Sequence, residues 1–228
     1  MGDAGTTATG HVLVWLRPVR GEVATATLDA VERARLASFD NHDTRRAYAA
    51  AHRLVRSAVS DVVWSRPERL TFDRTCPTCG AQHGRPVLTS DPTLSVSLSR
   101  TDEWVAVAIS RDGPVGIDVE SVTRTDFAGF ADVALHPSER HAVEGRAIDG
   151  RLRRRATAWV RKEAALKALG LGLTLDPALL RAPPSGIRTV VGGVDETVTV
   201  LDLVTRESCL AGAVALVGGD GPITVEYR

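Results

Sequence analysis

Lysine is almost missing from this chain. Only two of its 28 basic residues, Lys162 and Lys167, are lysine, so the choice of cation says little elsewhere and something at these two places. Arginine and lysine are not interchangeable where a compact, flexible point charge is needed. The two lysines lie five residues apart, with Glu163 beside the first. Other shortages exclude whole classes. Acidic and basic residues balance at 28 each, so the basic excess of a nucleic-acid binder is missing. No apolar run approaches the roughly 20 residues needed to cross a bilayer. Met1 to Gly10 has neither a basic n-region nor an apolar h-region, so no signal peptide is expected. Three cysteines, Cys76, Cys79 and Cys209, are too few and of the wrong parity for a disulfide framework. The expectation is a cytoplasmic protein.

What is present reads as a globular chain. Its 228 residues are 43% apolar and 25% charged, enough for one large domain or two of about 110 residues. His11 to Leu16 reads as a strand. Leu28 to Val63 turns helical, with Asp29 able to cap a first helix and Asp43 a second. Cys76 to Pro86, punctuated by Gly, Pro and paired Cys, reads as loop. Thr93–Ser99, Trp104–Ile109 and Val115–Val119 read as strands. A second helical stretch spans Pro137 to Leu169, broken near Gly150 and stopped by Gly170. Thr189–Val191, Thr197–Val204, Leu210–Val217 and Ile223–Tyr227 supply further strands. Strand–helix–strands thus occurs twice, with the joint near Arg111–Pro114. The expected class is α/β (α+β), built from two similar subdomains, 1–112 and 113–228.

Two segments carry chemistry. Val115-Gly116-Ile117-Asp118-Val119-Glu120 is an apolar strand ending in two carboxylates. Residues two apart on a strand share a face, so Asp118 and Glu120 point together while Ile117 and Val119 face the core. Adjacent anions repel unless a cation sits between them, and Mg²⁺ takes one or two carboxylates plus substrate phosphates. A bare D-x-E is also what any strand end leaving the core looks like. The second segment, Trp159-Val160-Arg161-Lys162-Glu163-Ala164-Ala165-Leu166-Lys167, has strong helix propensity. Trp159, Glu163 and Lys167 form one stripe at spacing four, which alone is equally a surface Glu–Lys pair.

Together, V-G-I-D-V-E followed about 40 residues later by W-x-x-K-E-A-x-x-K resembles the 4′-phosphopantetheinyl transferase superfamily, in its longer, Sfp-type branch. The resemblance implies two α/β subdomains related by a pseudo-twofold axis, with coenzyme A between them. It implies that Asp118, Glu120 and Glu163 hold Mg²⁺ and that Glu163 acts as base for a carrier-protein serine. Lys167 would neutralise phosphates, and Lys162 would contact substrate phosphate or an acidic neighbour. Asp43 to Arg56 resembles the family's Arg-rich helix, making Arg46 the candidate for the coenzyme 3′-phosphate. Gly84-Arg85-Pro86-Val87-Leu88 resembles its G-K/R-P-x-L loop, placing Arg85 near the nucleotide. Ser97-Leu98-Ser99-Arg100 stands where the family has S-x-S-H, so Ser99 joins the coenzyme set and Arg100 replaces a histidine. Arginine binds phosphate bidentately and stays charged at every relevant pH. The implied partners are acyl or peptidyl carrier proteins of polyketide or non-ribosomal peptide synthases, served by a monomer.

Three weaker signals stand beside these. Cys76-x-x-Cys79-x-x-x-His83 could open a zinc site, but no second Cys/His pair follows at the usual spacing; longer family members carry a similar loop, so loop architecture is expected. Phe127 and Phe130 lie where the family docks its carrier, and are equally core residues. Arg151 to Arg155 reads as a solvated helix face or as a surface greeting an acidic carrier. The rival readings are another magnesium-dependent nucleotide-pyrophosphate transferase or hydrolase, and a zinc-loop adaptor without catalysis.

Overall fold

A computed structural model describes residues 10–145, 150–191, 195–218 and 221–228; apart from Gly10, the segment read for a signal peptide lies outside them. The first sheet contains β1 (Gly10–Pro18), β2 (Phe72–Thr75), β3 (Gln82–Leu88), β4 (Ser95–Arg100), β5 (Trp104–Ser110) and β10 (Ile223–Tyr227), in the order β10-β1-β5-β4-β3-β2. The second contains β6 (Val115–Ser121), β7 (Arg188–Val190), β8 (Thr197–Asp202) and β9 (Leu210–Val217), in the order β6-β9-β8-β7. The long helices are α2 (His42–Val63) and α5 (Arg151–Ala168), with shorter α1 (Ala30–Ala37), α3 (Phe130–Ala134) and α4 (Pro137–Glu144). The chain is thus α/β, with both helices and two separate sheets. β1-β5-β4-β3 and β6-β9-β8-β7 are the same antiparallel succession, each with a long helix after its first strand. β10 crosses back to pair parallel with β1 (Val12↔Val225), so the last residues complete the first sheet. We propose 112/113, in the turn between β5 and β6, as the boundary of the two units.

Alternation sorts the side chains into layers. Val12, Val14, Ala106 and Ala108 of the first sheet face Val115, Ile117, Val119, Val214 and Leu216 of the second in one buried core. Trp15, Val96, Val107 and Ile109 instead meet Val55, Ala58 and Val59 of α2. Ala211, Ala213, Ala215, Val198 and Val200 meet Ala156, Val160 and Ala164 of α5. The order is helix, sheet, sheet, helix. The β9 residues beneath α5 are largely alanines, which lets that helix settle close to its sheet.

Gly116 takes this closeness to its limit. A Cβ there would lie 2.0 Å from the Ala164 carbonyl oxygen and 2.5 Å from the Ala168 nitrogen. Only glycine fits, and it brings α5 onto β6 beside Asp118. The edge of β6 is sealed from the first sheet. The N–H groups of Val115, Ile117 and Val119 donate to Ser95, Ser97 and Ser99 Oγ at 2.8, 3.1 and 3.2 Å. Alternate serines of β4 thus satisfy a row of donors that would otherwise be an unpaired strand edge.

Two local expectations need correction. Asn41, not Asp43, caps α2, its Oδ1 accepting the Thr44 N–H at 2.9 Å. A cap must be extended just before the first helical residue, whereas Asp43 falls inside the first turn and complements the helix dipole there. Residues 82–86, read as loop from Gly84 and Pro86, open β3; the hairpin's turn is confined to residues 76–81. Among the described residues no helix is long and apolar enough to cross a membrane.

Candidate active site

The even-numbered face of β6 presents Gly116, Asp118 and Glu120 in succession, as the alternation predicts. Gly116 meets α5, and four residues of separation later Glu120 reaches the strand end. Asp118 is 6% exposed. Its Oδ1 accepts from Ser99 Oγ at 2.7 Å and from Lys167 Nζ at 2.6 Å. Lys167 also donates to the Ile117 carbonyl at 3.1 Å, so its ammonium lies along β6. Glu120 is half-buried and accepts the Ser121 N–H at 2.9 Å. Burial, then the charge of Asp118, pushes its carboxyl above the ordinary range.

Glu163 is the most perturbed of the three. Burial first and Asp118 second push its pKa up to about 7, with Lys167 opposing. Its Oε1 is buried without a hydrogen-bond partner, which costs free energy unless something fills the place. Asp118 therefore acts on both neighbours, and the trio is one electrostatic cluster. Their oxygens do not all lie within 4.8 Å of one another, and Lys167 serves as counter-ion to Asp118. An orphaned carboxylate oxygen and two acids raised by burial and by the charge of Asp118 suit a hard divalent cation with oxygen ligands, such as Mg²⁺.

The other expected residues divide. Ser99 is buried between Val119 N–H and Asp118, and joins β4 to the acid cluster. Lys162 is completely buried and donates to Ala134 O (2.7 Å), Glu139 Oε2 (2.7 Å) and Pro177 O (3.1 Å). All three of its protons are engaged, so it ties neighbouring segments to α5 in place of the expected coenzyme contact; Glu139 is the acidic neighbour. Arg85 is also turned inward. It donates to Ser95 Oγ, to Val115 O at 3.0 Å and to Ala168 O at 3.5 Å, bridging β3 to β4, β6 and α5. Arg46 pairs with Asp43 at 3.1 Å, and its Nε is buried without a partner. The Arg100 guanidinium lies 5.7 Å from the Phe39 ring centroid and 5.8 Å from that of Tyr48, and burial lowers its pKa.

Some features were not anticipated. Arg35 lies 4.9 Å over the Phe39 ring that Arg100 also approaches, so two cations gather at one aromatic residue. Phe130 is buried, but Phe127 stays 48% exposed and meets it edge-on at 5.5 Å. Both line a groove of about 230 Å³ with Glu120, Arg124, Val133 and Trp159, so an apolar surface adjoins the acids. The arginine run is neither solvated face nor free charge. Arg155 clasps Glu144 at 2.6 and 2.8 Å, and Arg153 caps the Leu210 and Ser208 carbonyls.

Residues 114–190, from β6 through β7, match the profile of the 4′-phosphopantetheinyl transferase superfamily. That stretch contains Gly116, Asp118, Glu120, Glu163 and Lys167. The stretch that carries the acids is thus similar to this superfamily. The chain is 26% identical over 201 residues to the 4′-phosphopantetheinyl transferase HetI of Nostoc sp., covering 85% of this chain and 80% of that one. It is 32% identical over 92 residues to the 4′-phosphopantetheinyl transferase gsp of Aneurinibacillus migulanus, and 29% identical over 101 residues to psf-1 of Bacillus pumilus. These two matches span 37% and 39% of the relatives' lengths and 40% of this chain. The similarity is thus concentrated in the half that carries the acids.

Proposed function

We propose that this chain transfers the 4′-phosphopantetheine arm of coenzyme A to a serine hydroxyl of an apo acyl or peptidyl carrier protein, releasing 3′,5′-ADP. Glu163 supports the reading most: a half-buried carboxyl whose pKa burial and Asp118 raise, with one buried oxygen unpartnered, on the same helix stripe as Lys167. Held on Mg²⁺ it would be a weak base, so it would act on a hydroxyl already polarised nearby. Glu163 would accept the serine proton, directly or through a water. The serine oxygen then bonds to the phosphorus bearing the pantetheine arm, and the bridging P–O bond breaks with its electron pair on 3′,5′-ADP. Asp118, Glu120 and Glu163 would hold Mg²⁺, which when bound neutralises the pyrophosphate. Lys167 adds a mobile positive charge, and Ser99 keeps Asp118 oriented. Arg46 and Arg100 are the candidates for the coenzyme 3′-phosphate, and the groove at Phe127 would seat an apolar face of the carrier. The partners we expect are carriers of polyketide or non-ribosomal peptide synthases, met by a monomer in the cytoplasm.

Intact-mass measurement of several apo carriers incubated with the protein, coenzyme A and Mg²⁺ tests this. Gain of one phosphopantetheine arm is expected. Unmodified carriers beside hydrolysed coenzyme A would favour a nucleotide-pyrophosphate hydrolase.

A further inference from the structure

We propose that Cys76, Cys79 and His83 bind one zinc ion at the tip of the β2–β3 hairpin. The proposal is independent of the transfer reaction and rests on side chains remote in sequence from the acids. Among the described residues this is the one set of three or more Cys, His, Asp or Glu side chains whose ligand atoms all lie within 4.8 Å of one another. Cys79 Sγ stands 3.0 Å from His83 Nε2. Tetrahedral zinc with bonds of about 2.3 Å to sulfur and 2.0–2.1 Å to nitrogen separates such a pair by roughly 3.6 Å, so a small outward movement admits the ion.

The backbone is shaped for this. Cys76 N–H donates to Ala81 O, and Gly80 N–H donates to Cys76 O, both at 2.8 Å. Gly80 sits at φ +73°, a left-handed conformation that favours glycine, and it folds the turn back on itself. Both cysteines are free. Two thiolates and an imidazole select zinc over the hard, oxygen-seeking cation of the acid cluster. Cys79 and His83 are exposed, so the fourth position is open to water.

The consequence is structural. His83 lies two residues before Arg85, which reaches across to Val115 O and Ala168 O. A metal-closed hairpin would fix the start of β3 and with it that bridge between the two sheets. Zinc analysis of the purified full chain after exhaustive dialysis tests the proposal, with Co²⁺ exchanged in as a spectroscopic probe. One zinc per chain is expected, with thiolate-to-cobalt charge transfer and the intense visible bands of a tetrahedral site. Cys79→Ser and His83→Ala, both at exposed positions, should lose the metal while keeping the wild-type far-ultraviolet circular dichroism; Cys209→Ser should keep it. Substoichiometric zinc in the wild type, equal zinc in Cys79→Ser, or a Cys76–Cys79 disulfide in freshly purified protein would overturn it.

Discussion

Lys167 Nζ stands 2.6 Å from Asp118 Oδ1, the same oxygen that accepts from Ser99 Oγ at 2.7 Å. One carboxylate thus joins β4, β6 and α5, and it holds the side chain proposed to meet phosphate. Lys162, on the same helix, makes its ion pair 0% exposed on the lysine side. The two lysines have different duties. Lys167→Met should abolish most carrier modification and, by leaving buried Asp118 without its cation, also lower the melting temperature. Lys162→Met should lower it by several degrees, leaving Glu139 without its cation; coenzyme A affinity of the folded protein should stay near wild type. Carrier-modification assays with coenzyme A titrations separate the two.

Gly116 makes the approach of α5 possible. Gly116→Ala places a methyl against backbone atoms of Ala164 and Ala168, which cannot rotate away. Overpacking of this kind costs about 1–3 kcal/mol or more. A lower urea midpoint with an unchanged m-value, and loss of activity, is the expected pair of results. Unchanged stability would mean that helix and strand are not held as described.

Glu163 makes a pH prediction for the metal-free protein. Its folded pKa, about 7, lies above the ordinary 4.5, so folding favours its protonated form. The stability it contributes is full below pH 4.5 and is lost as pH rises toward 7, by at most about 3 kcal/mol. Glu163→Gln cannot ionise. With chelator present, its melting temperature should gain on wild type across that window and hold the gain above it. A constant difference from pH 4.5 to 7.5 would refute the burial argument.

Arg100 stands where a histidine is expected from the resemblance. Wild-type coenzyme A affinity should vary little between mildly acidic and mildly basic pH on this residue's account. Arg100→His should weaken binding as pH rises through the imidazole range, and Arg100→Ala should weaken it at every pH. Calorimetric titrations across that range, with 3′-dephospho-coenzyme A as control, check both. A flat profile for Arg100→His would remove this arginine from the phosphate site.

The sequence patterns that proved legible are those with a period. Alternation in Val115–Glu120 correctly put Ile117 and Val119 in the core and the acids opposite. Spacing of four put Glu163 and Lys167 on one stripe. What sequence could not show is which arginines are buried. In the Arg-rich segment 43–56, Arg56 is 1% exposed and bonds Glu32, Asp29 and two carbonyls, because Asp29 and Glu32 form the capping box of α1 nearby. That partnership spans 24 residues and leaves no local trace. The inward contacts of Arg85 and Lys162 escape sequence reading for the same reason, since their acceptors, carbonyls and side chains alike, lie on other segments. Gly116 carried a readable signal, a glycine two residues before an acid on one strand face. So did the alternate serines Ser95, Ser97 and Ser99, whose hydroxyls seal a neighbouring strand.

The central claim is that Asp118, Glu120 and Glu163 share one divalent ion. Crystals of the protein grown with Mn²⁺ and coenzyme A, measured at the manganese edge, address it directly. The account predicts a single anomalous peak about 2.1 Å from an oxygen of each carboxylate, with Lys167 released from Asp118 onto phosphate. A peak elsewhere, or three carboxylates too far apart to touch one ion in the loaded crystal, would contradict it.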